Sequence, residues 1–297
     1  AGESVSEVYL ASSNGASHAY QCTSVYLYAS PVASDGTQLQ TSTWYDAKRF
    51  FSDLESSEEI AREAARRAVR LLGAKKVKSQ RVPVIFDPQV AASFVGSIAS
   101  ASNGDSVFKK ASFLATRLGE KLGPASVTIV NDGTLARGLA TAPFDGEGVA
   151  TRKTPIIDRG VLSSFLYDVF TARKARAHST GSASRGYRSL PAIGTSNLYL
   201  VAGTRNPLDL IAEVPNGFYV TAMLGHGANM VTGEYSRGAN GLWIENGELT
   251  QPVQEVTVAG NLLDMVANID AIGNDLSFRS ATASPTIRFR ELTVAGE

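Results

Sequence analysis

Few side chains in this sequence can carry hydrolytic or metal chemistry, so their spacing decides what is possible. There are three histidines, His18, His178 and His226, and one cysteine, Cys22. Zinc sites cluster their ligands, as in His-Glu-x-x-His, where the spacing sets both imidazoles on one helix face. Here the histidines lie far apart, with no second histidine or cysteine near any of them. A thiol–histidine pair would need Cys22 beside one of them. Cys22 falls in a predicted strand, which favours a buried, inert thiol. Asp145 and Glu147 stand two apart in the glycine-rich run Pro-Phe-Asp-Gly-Glu-Gly over 143–148. They could hold a hard cation, act as acid and base, or organise a turn. Joined by His226, they are the candidate set for a self-sufficient hydrolase. The most informative stretch is 225–247, with Gly225, Gly227, Gly233 and Gly238 spaced through a polar loop. Glycine lets a backbone turn sharply or approach another chain closely, so this segment is either a site or an elaborate turn.

Other chemistries lack their motifs. No phosphate loop of the form Gly-x4-Gly-Lys-Ser/Thr occurs. The nearest dinucleotide fingerprint, at Gly225 and Gly227, has Met230 where the third glycine belongs. Ser182 and Ser184 lie between Gly181 and Gly186 at the wrong spacing for a nucleophile elbow.

The elements that must position these residues read as α+β. Strands are predicted over 7–10, 24–28 and 38–45, with a turn at 13–15. Ser56 and Glu59 match a capping box, opening a helix with Ile60, Ala64, Ala68 and Leu71 on one face and Gly73 at its end. Its charges pair as Glu58–Arg62 and Glu63–Arg67, which predicts a solvated face. After a strand over 82–86, Asp87-Pro88 opens a second helix, broken at Asn103-Gly104. A third is predicted over 108–122. Strands then dominate: 127–130, 154–157, 161–167, 198–201, 217–223, 242–244, 248–258 and 287–294. Asp158-Arg159-Gly160 and Asn246-Gly247 mark hairpins, and a short helix is predicted over 261–269. The expectation is a large, mostly antiparallel, hairpin-rich sheet domain with a few helices.

Composition narrows the partners. Lysine plus arginine equals aspartate plus glutamate at 28 each, which gives no net attraction for nucleic acid or anionic membrane. No apolar run reaches the length of a bilayer span. One cysteine permits no internal disulfide, and no signal peptide opens the chain, so a cytoplasmic location is expected.

Several segments in series resemble the TldD/PmbA family, once labelled modulators of DNA gyrase, and specifically its PmbA (TldE) branch. They are Ser-Val-Phe-Lys-Lys-Ala-Ser-Phe-Leu over 106–114, Pro-Phe-Asp-Gly-Glu-Gly-Val-Ala-Thr-Arg over 143–152, and Gly160-Val-Leu162 with Ala172-Arg173-Lys174. The 225–247 segment and Leu-Thr-Val-Ala-Gly over 292–296 complete the series. The resemblance runs over essentially the whole chain. It implies that 1–50 are the last strands of an N-terminal α/β region, 51–80 a connecting helix and linker, and 81–297 the C-terminal PmbA/TldD-type domain. The chain is then expected to be a C-terminal portion of a longer protein.

The resemblance also implies a peptidase of two related subunits acting on unfolded peptides. The TldD-type subunit carries zinc on a His-Glu-x-x-x-His helix, with a cysteine near its C-terminus. By place in the series, the equivalent helix here is Ala-Ser-Phe-Val-Gly-Ser over 92–97. Ala92 and Ser97 hold the histidine positions and Ser93 that of the general-base glutamate. Alanine ligates nothing and a serine hydroxyl is a poor zinc ligand, and no cysteine follows Cys22. The expectation is a subunit with no catalytic residues and no cofactor of its own, whose zinc sits in a TldD-type partner. It would pair with that partner, or with itself through a shared interface. Its role would be to shape a peptide groove, with Gly225, Gly227, His226, Asn229, Tyr235 and Arg237 as contacts. Alternatively these residues only cap strands and pack on Trp243. A peptide-binding or regulatory module without proteolysis, and the Asp145/Glu147/His226 hydrolase, are the rival readings.

Overall fold

The computed structural model describes residues 1–13, 15–225 and 227–297. Asn14, in the turn predicted over 13–15, and His226 lie outside the described residues. The first region opens with a long antiparallel hairpin, β1 (Gly2–Ala11) and β2 (Ser17–Ala29). The alternating run predicted over 38–45 divides between two sheets. β3 (Val32–Ser34) pairs with β4 (Leu39–Thr41), whereas β5 (Trp44–Lys48) joins β2. A period of two marks strand conformation without saying which edge a strand will join. Cys22 on β2 is half-buried rather than buried, because the hairpin reaches out beyond the main core.

α1 (Ser57–Val69) carries the predicted capping box: Ser56 Oγ accepts from the Glu59 N–H at 3.2 Å, and Glu59 accepts from the Ser56 N–H at 3.0 Å. Its buried stripe, Ile60 and Ala64, packs on Trp44. The expected charge pairs form, but only Arg62 and Arg66 lie on a solvated face. Arg67 is 6 % exposed and turns inward.

The second region begins with β6 (Gln80–Phe86), α2 (Pro88–Ala101) and α3 (Gly104–Phe108). Then follow β7 (Ile129–Asp132), β8 (Lys153–Asp158), β9 (Val161–Leu162), α4 (Val169–Ala175), β10 (Ala183–Ser184) and β11 (Ala192–Ile193). The chain continues through β12 (Asn197–Leu200), α5 (Pro207–Ala212), β13 (Asn216–Leu224), β14 (Glu234–Glu245) and β15 (Glu248–Asn261). It ends with α6 (Leu262–Asn268), β16 (Ile269–Ile272), β17 (Thr282–Ala283) and β18 (Ile287–Ala295). Both predicted hairpin turns form with the two positive φ angles such turns require: Arg159 at 47° with Gly160 at 81°, and Asn246 at 53° with Gly247 at 81°.

A six-stranded sheet runs β15-β14-β13-β6-β18-β16 and a five-stranded sheet β17-β12-β7-β8-β9. Only β6–β13 and β12–β17 are parallel among the named pairs. The architecture is α+β, as the hairpin-rich pattern predicts. α2 packs against strands of both sheets, and Phe94 meets Phe289 edge to face at 5.4 Å in the shared core.

The helix predicted over 108–122 does not form. α3 ends where that helix was to begin, and Lys110 (φ 56°) and Gly119 (φ 83°) break any helical path. The segment instead runs along the β8–β9 hairpin, with the Gly119 N–H donating to Leu162 O and the Leu122 N–H to Gly160 O. Its apolar spacing answers to pocketed side chains, Leu114 and Leu122, rather than to a helical stripe.

Candidate functional site

The small-residue face of α2 meets Arg237 of β14. α2 is set by Asp87, whose side chain accepts from the Gln89 N–H at 2.8 Å, and by Pro88 at its first position. Val90, Ala91, Phe94, Val95, Ile98 and Ala99 are buried, which leaves Ser93 exposed and Ala92 and Ser97 half-buried. The hydroxyls turn back on their own helix. Ser93 Oγ donates to Val90 O at 2.8 Å and Ser97 Oγ to Ser93 O at 3.1 Å. This donor set does not fit zinc: a methyl group and two helix-bonded hydroxyls stand where imidazoles would be needed.

Arg237 on β14 reaches this face, its Nη1 donating to Ser93 Oγ at 3.3 Å. Gly227 makes the approach possible. A Cβ there would stand 1.8 Å from Ser236 O and 2.8 Å from Arg237 Cγ. Gly225 turns the chain with φ +68°. Asn229 is committed to its own loop, its Oδ1 accepting from the Val231 N–H at 2.9 Å and its N–H donating to Glu234 O at 2.8 Å. Tyr235 is 2 % exposed, inside the core. Burial raises its hydroxyl pKa, opposed by the neighbouring Arg237. Trp243 lies below, bonded to Asn216 Oδ1 at 2.9 Å and stacked on Phe218. Of the sequence-predicted residues, the fold thus brings together Ser93, Gly227 and Arg237.

Ala92 faces another way. It lines a cavity of about 290 Å³ between the two regions, with Gln89, Tyr219 and Ser284. There Arg67 bonds Asp87 at 2.7 Å and lies over Trp44, with Arg279 also over that ring.

The carboxylate pair is elsewhere and organises backbone. Asp145 accepts from the Glu147, Val149 and Ala183 N–H groups at 2.9–3.0 Å. Glu147 accepts from the Val169 N–H at 2.7 Å, at the start of α4. Burial raises the Glu147 pKa against that hydrogen bond. Sequence reasoning missed the groove beside them, about 660 Å³, walled by residues 7–11 of β1 on one side and 181–187 on the other. β1 is a sheet edge bonded only to β2. Tyr9, Tyr20, Phe144, Arg185 and Tyr187 line the groove. The strands predicted over 7–10 and 24–28 mark this hairpin, but an edge becomes visible only once neighbours are assigned.

The fold is α+β, and comparison with known proteins gives the family. Residues 79–296 match the model of the PmbA/TldA metallopeptidase C-terminal domain and residues 1–72 that of the central domain. The chain is 35% identical to the metalloprotease PmbA of Escherichia coli O157:H7 over 285 residues, 96% of this chain and 61% of that protein. Among solved structures, TldE of Thermococcus kodakarensis superposes with a TM-score of 0.91 at 25% identity, over 99% of this chain and 68% of that one. A Bacteroides thetaiotaomicron protein carried under the name modulator of DNA gyrase gives 0.90 at 31% identity, over 99% and 65%. The chain belongs to the PmbA/TldD metallopeptidase family, and it spans about 61% of the length of the E. coli relative. Among the described residues no helix is long and apolar enough to cross a membrane.

Proposed function

We propose that this chain is the zinc-motif-lacking, PmbA/TldE-type component of a two-subunit metallopeptidase acting on unfolded peptides. The observation that carries this reading is the face of α2, where Ala92, Ser93 and Ser97 offer no zinc ligand and the two hydroxyls are bonded to helix carbonyls. The polarised carbonyl and activated water of a metallopeptidase need a metal with open coordination. In this reading a TldD-type partner supplies it. This chain contributes a binding wall: β1 is a sheet edge along a groove of about 660 Å³, where an extended peptide could add as a strand. Pairing with the zinc subunit, and a cytoplasmic setting, belong to the same proposal.

The test is metal content and peptide cleavage of the purified protein, alone and with a TldD-type subunit. Zinc and chelator-sensitive cleavage of an unfolded peptide are expected only in the mixture. Stoichiometric zinc with chelator-sensitive cleavage by this chain alone would overturn the reading.

A further inference from the structure

Six buried side-chain polar atoms among the described residues have no hydrogen-bond partner: Arg70 Nε and Nη2, Gln89 Nε2, Tyr235 Oη, Arg237 Nε and Asn240 Oδ1. Three of the six fall within six consecutive residues of β14. Gln89 Nε2 lies apart from them, on a residue that lines the cavity beside Ala92. Native proteins rarely leave such groups unpaired, so each asks for a physical account. Arg70 has a local account, since it caps the C-terminus of α1, where the helix end favours a cation. Arg237 sits within a strand and has none.

Arg237 has no carboxylate partner among the described residues; its neighbours are neutral, the Ser93 hydroxyl, to which Nη1 donates at 3.3 Å, and the Tyr235 hydroxyl. Its Nε is buried, so the stem is held fast against Gly227, while the Nη edge reaches Ser93 on the exposed side of α2. Tyr235, 2 % exposed, sets its hydroxyl against the same guanidinium. A guanidinium fork held this way matches one planar anion through two parallel hydrogen bonds. It brings a single positive charge, which suits a carboxylate better than a phosphate. The small side chains of Ser93, Gly96 and Ser97 leave room over the helix for the chain that bears it.

We propose that Arg237, braced by Ser93, is a carboxylate receptor that holds an acidic group of an extended peptide over the outer face of α2. This inference rests on the reading that the chain binds peptide. The carboxylate can come from a peptide C-terminus or from an acidic side chain.

Fluorescence anisotropy with three short unstructured peptides tests it: one ending in a free carboxylate, the same peptide ending in an amide, and an amide carrying one glutamate. The free acid is expected to bind about tenfold tighter than the plain amide, the scale of a charge-assisted hydrogen bond. If the glutamate amide matches the acid, the receptor takes either carboxylate; if it matches the plain amide, the receptor takes the terminus alone. Arg237→Ala is expected to erase the preference, so that the acid and the plain amide bind alike. Arg237→Lys is expected to retain part of it, having charge without the fork. Equal binding of all three peptides by the unaltered protein overturns the receptor and leaves the peptide-binding reading standing. So does a preference that persists in a folded Arg237→Ala protein. Failure of every peptide to bind overturns both. Should Arg237→Ala not fold, the comparison of peptides on the unaltered protein and on Arg237→Lys decides.

Discussion

Arg67 and Arg237 bring the same guanidinium to the same helix in opposite circumstances. Arg67 comes from α1 and meets the N-cap of α2. It bonds Asp87 at 2.7 Å and Glu63 at 2.8 Å, and it lies 4.0 Å over the Trp44 ring. Arg237 comes from β14 and meets the second turn of α2, with one long hydrogen bond and a buried, unpaired Nε. The first arrangement satisfies its charge within the protein and locks the two regions together. The second leaves part of its hydrogen-bonding capacity for something outside the fold. What separates a structural cation from a binding one here is the partner, since both are arginines that pack against α2.

The largest effect should come from breaking the closed arrangement. Arg67→Ala leaves the Asp87 carboxylate buried and unpaired, at 0 % exposure. It should destabilise the protein by about 3–5 kcal/mol, read by urea or thermal unfolding. A loss below about 1 kcal/mol would mean that Asp87 is held by its helix cap alone. On the open side, Gly227→Ala forces a Cβ to 1.8 Å from Ser236 O. A loss of about 1–3 kcal/mol is expected, with displacement of Arg237 from Ser93. Unchanged stability would show that the segment can relax without glycine.

A smaller, pH-gated effect belongs to Glu63. Burial raises its pKa, but the hydrogen bonds and charges of Arg66 and Arg67 outweigh burial and hold it at about 2. The folded value lies below the unfolded one of about 4.3. Its stabilisation is therefore fully present above that pH and lost as pH falls toward about 2. Glu63→Gln should flatten acid unfolding across this window and nowhere else; an unaltered acid profile would remove Glu63 from the seam's energetics. The smallest effect is Ser93→Ala. Its exposed hydroxyl is bonded mainly within α2, so stability should change by less than about 0.5 kcal/mol in thermal unfolding. A large loss would mean that the Ser93–Arg237 contact is structural, which would erase the contrast between the two arginines.

Much of the scaffold was legible because the signals are local. The capping box of Ser56 and Glu59 needs two residues three apart. The Asp87-Pro88 start of α2 and the turns at Arg159-Gly160 and Asn246-Gly247 depend only on neighbouring backbone sterics. The expected helix over 108–122 failed because its apolar residues were read as one stripe. They serve separate contacts, including a Phe113 N–H bonded to Met230 O at 2.9 Å. The pairing of Glu63 with Arg67 was legible as a helical spacing, but the burial of Arg67 was not, since Asp87 lies 20 residues further on.

The sequence by itself determined what α2 can do chemically. Ala92, Ser93 and Ser97 lack zinc-ligand chemistry in any conformation, because the atoms that would hold the ion are missing from the side chains. Only the tertiary structure decided what faces them. Ser93 and Arg237 are 144 residues apart, and their contact depends on β13 and β14 joining the same sheet as β6, against which α2 packs. The groove along β1 likewise exists because a hairpin left one edge unpaired beside the 181–187 loop. Side-chain chemistry is fixed residue by residue, whereas pairing and exposure depend on which distant segments the folded sheets bring into contact.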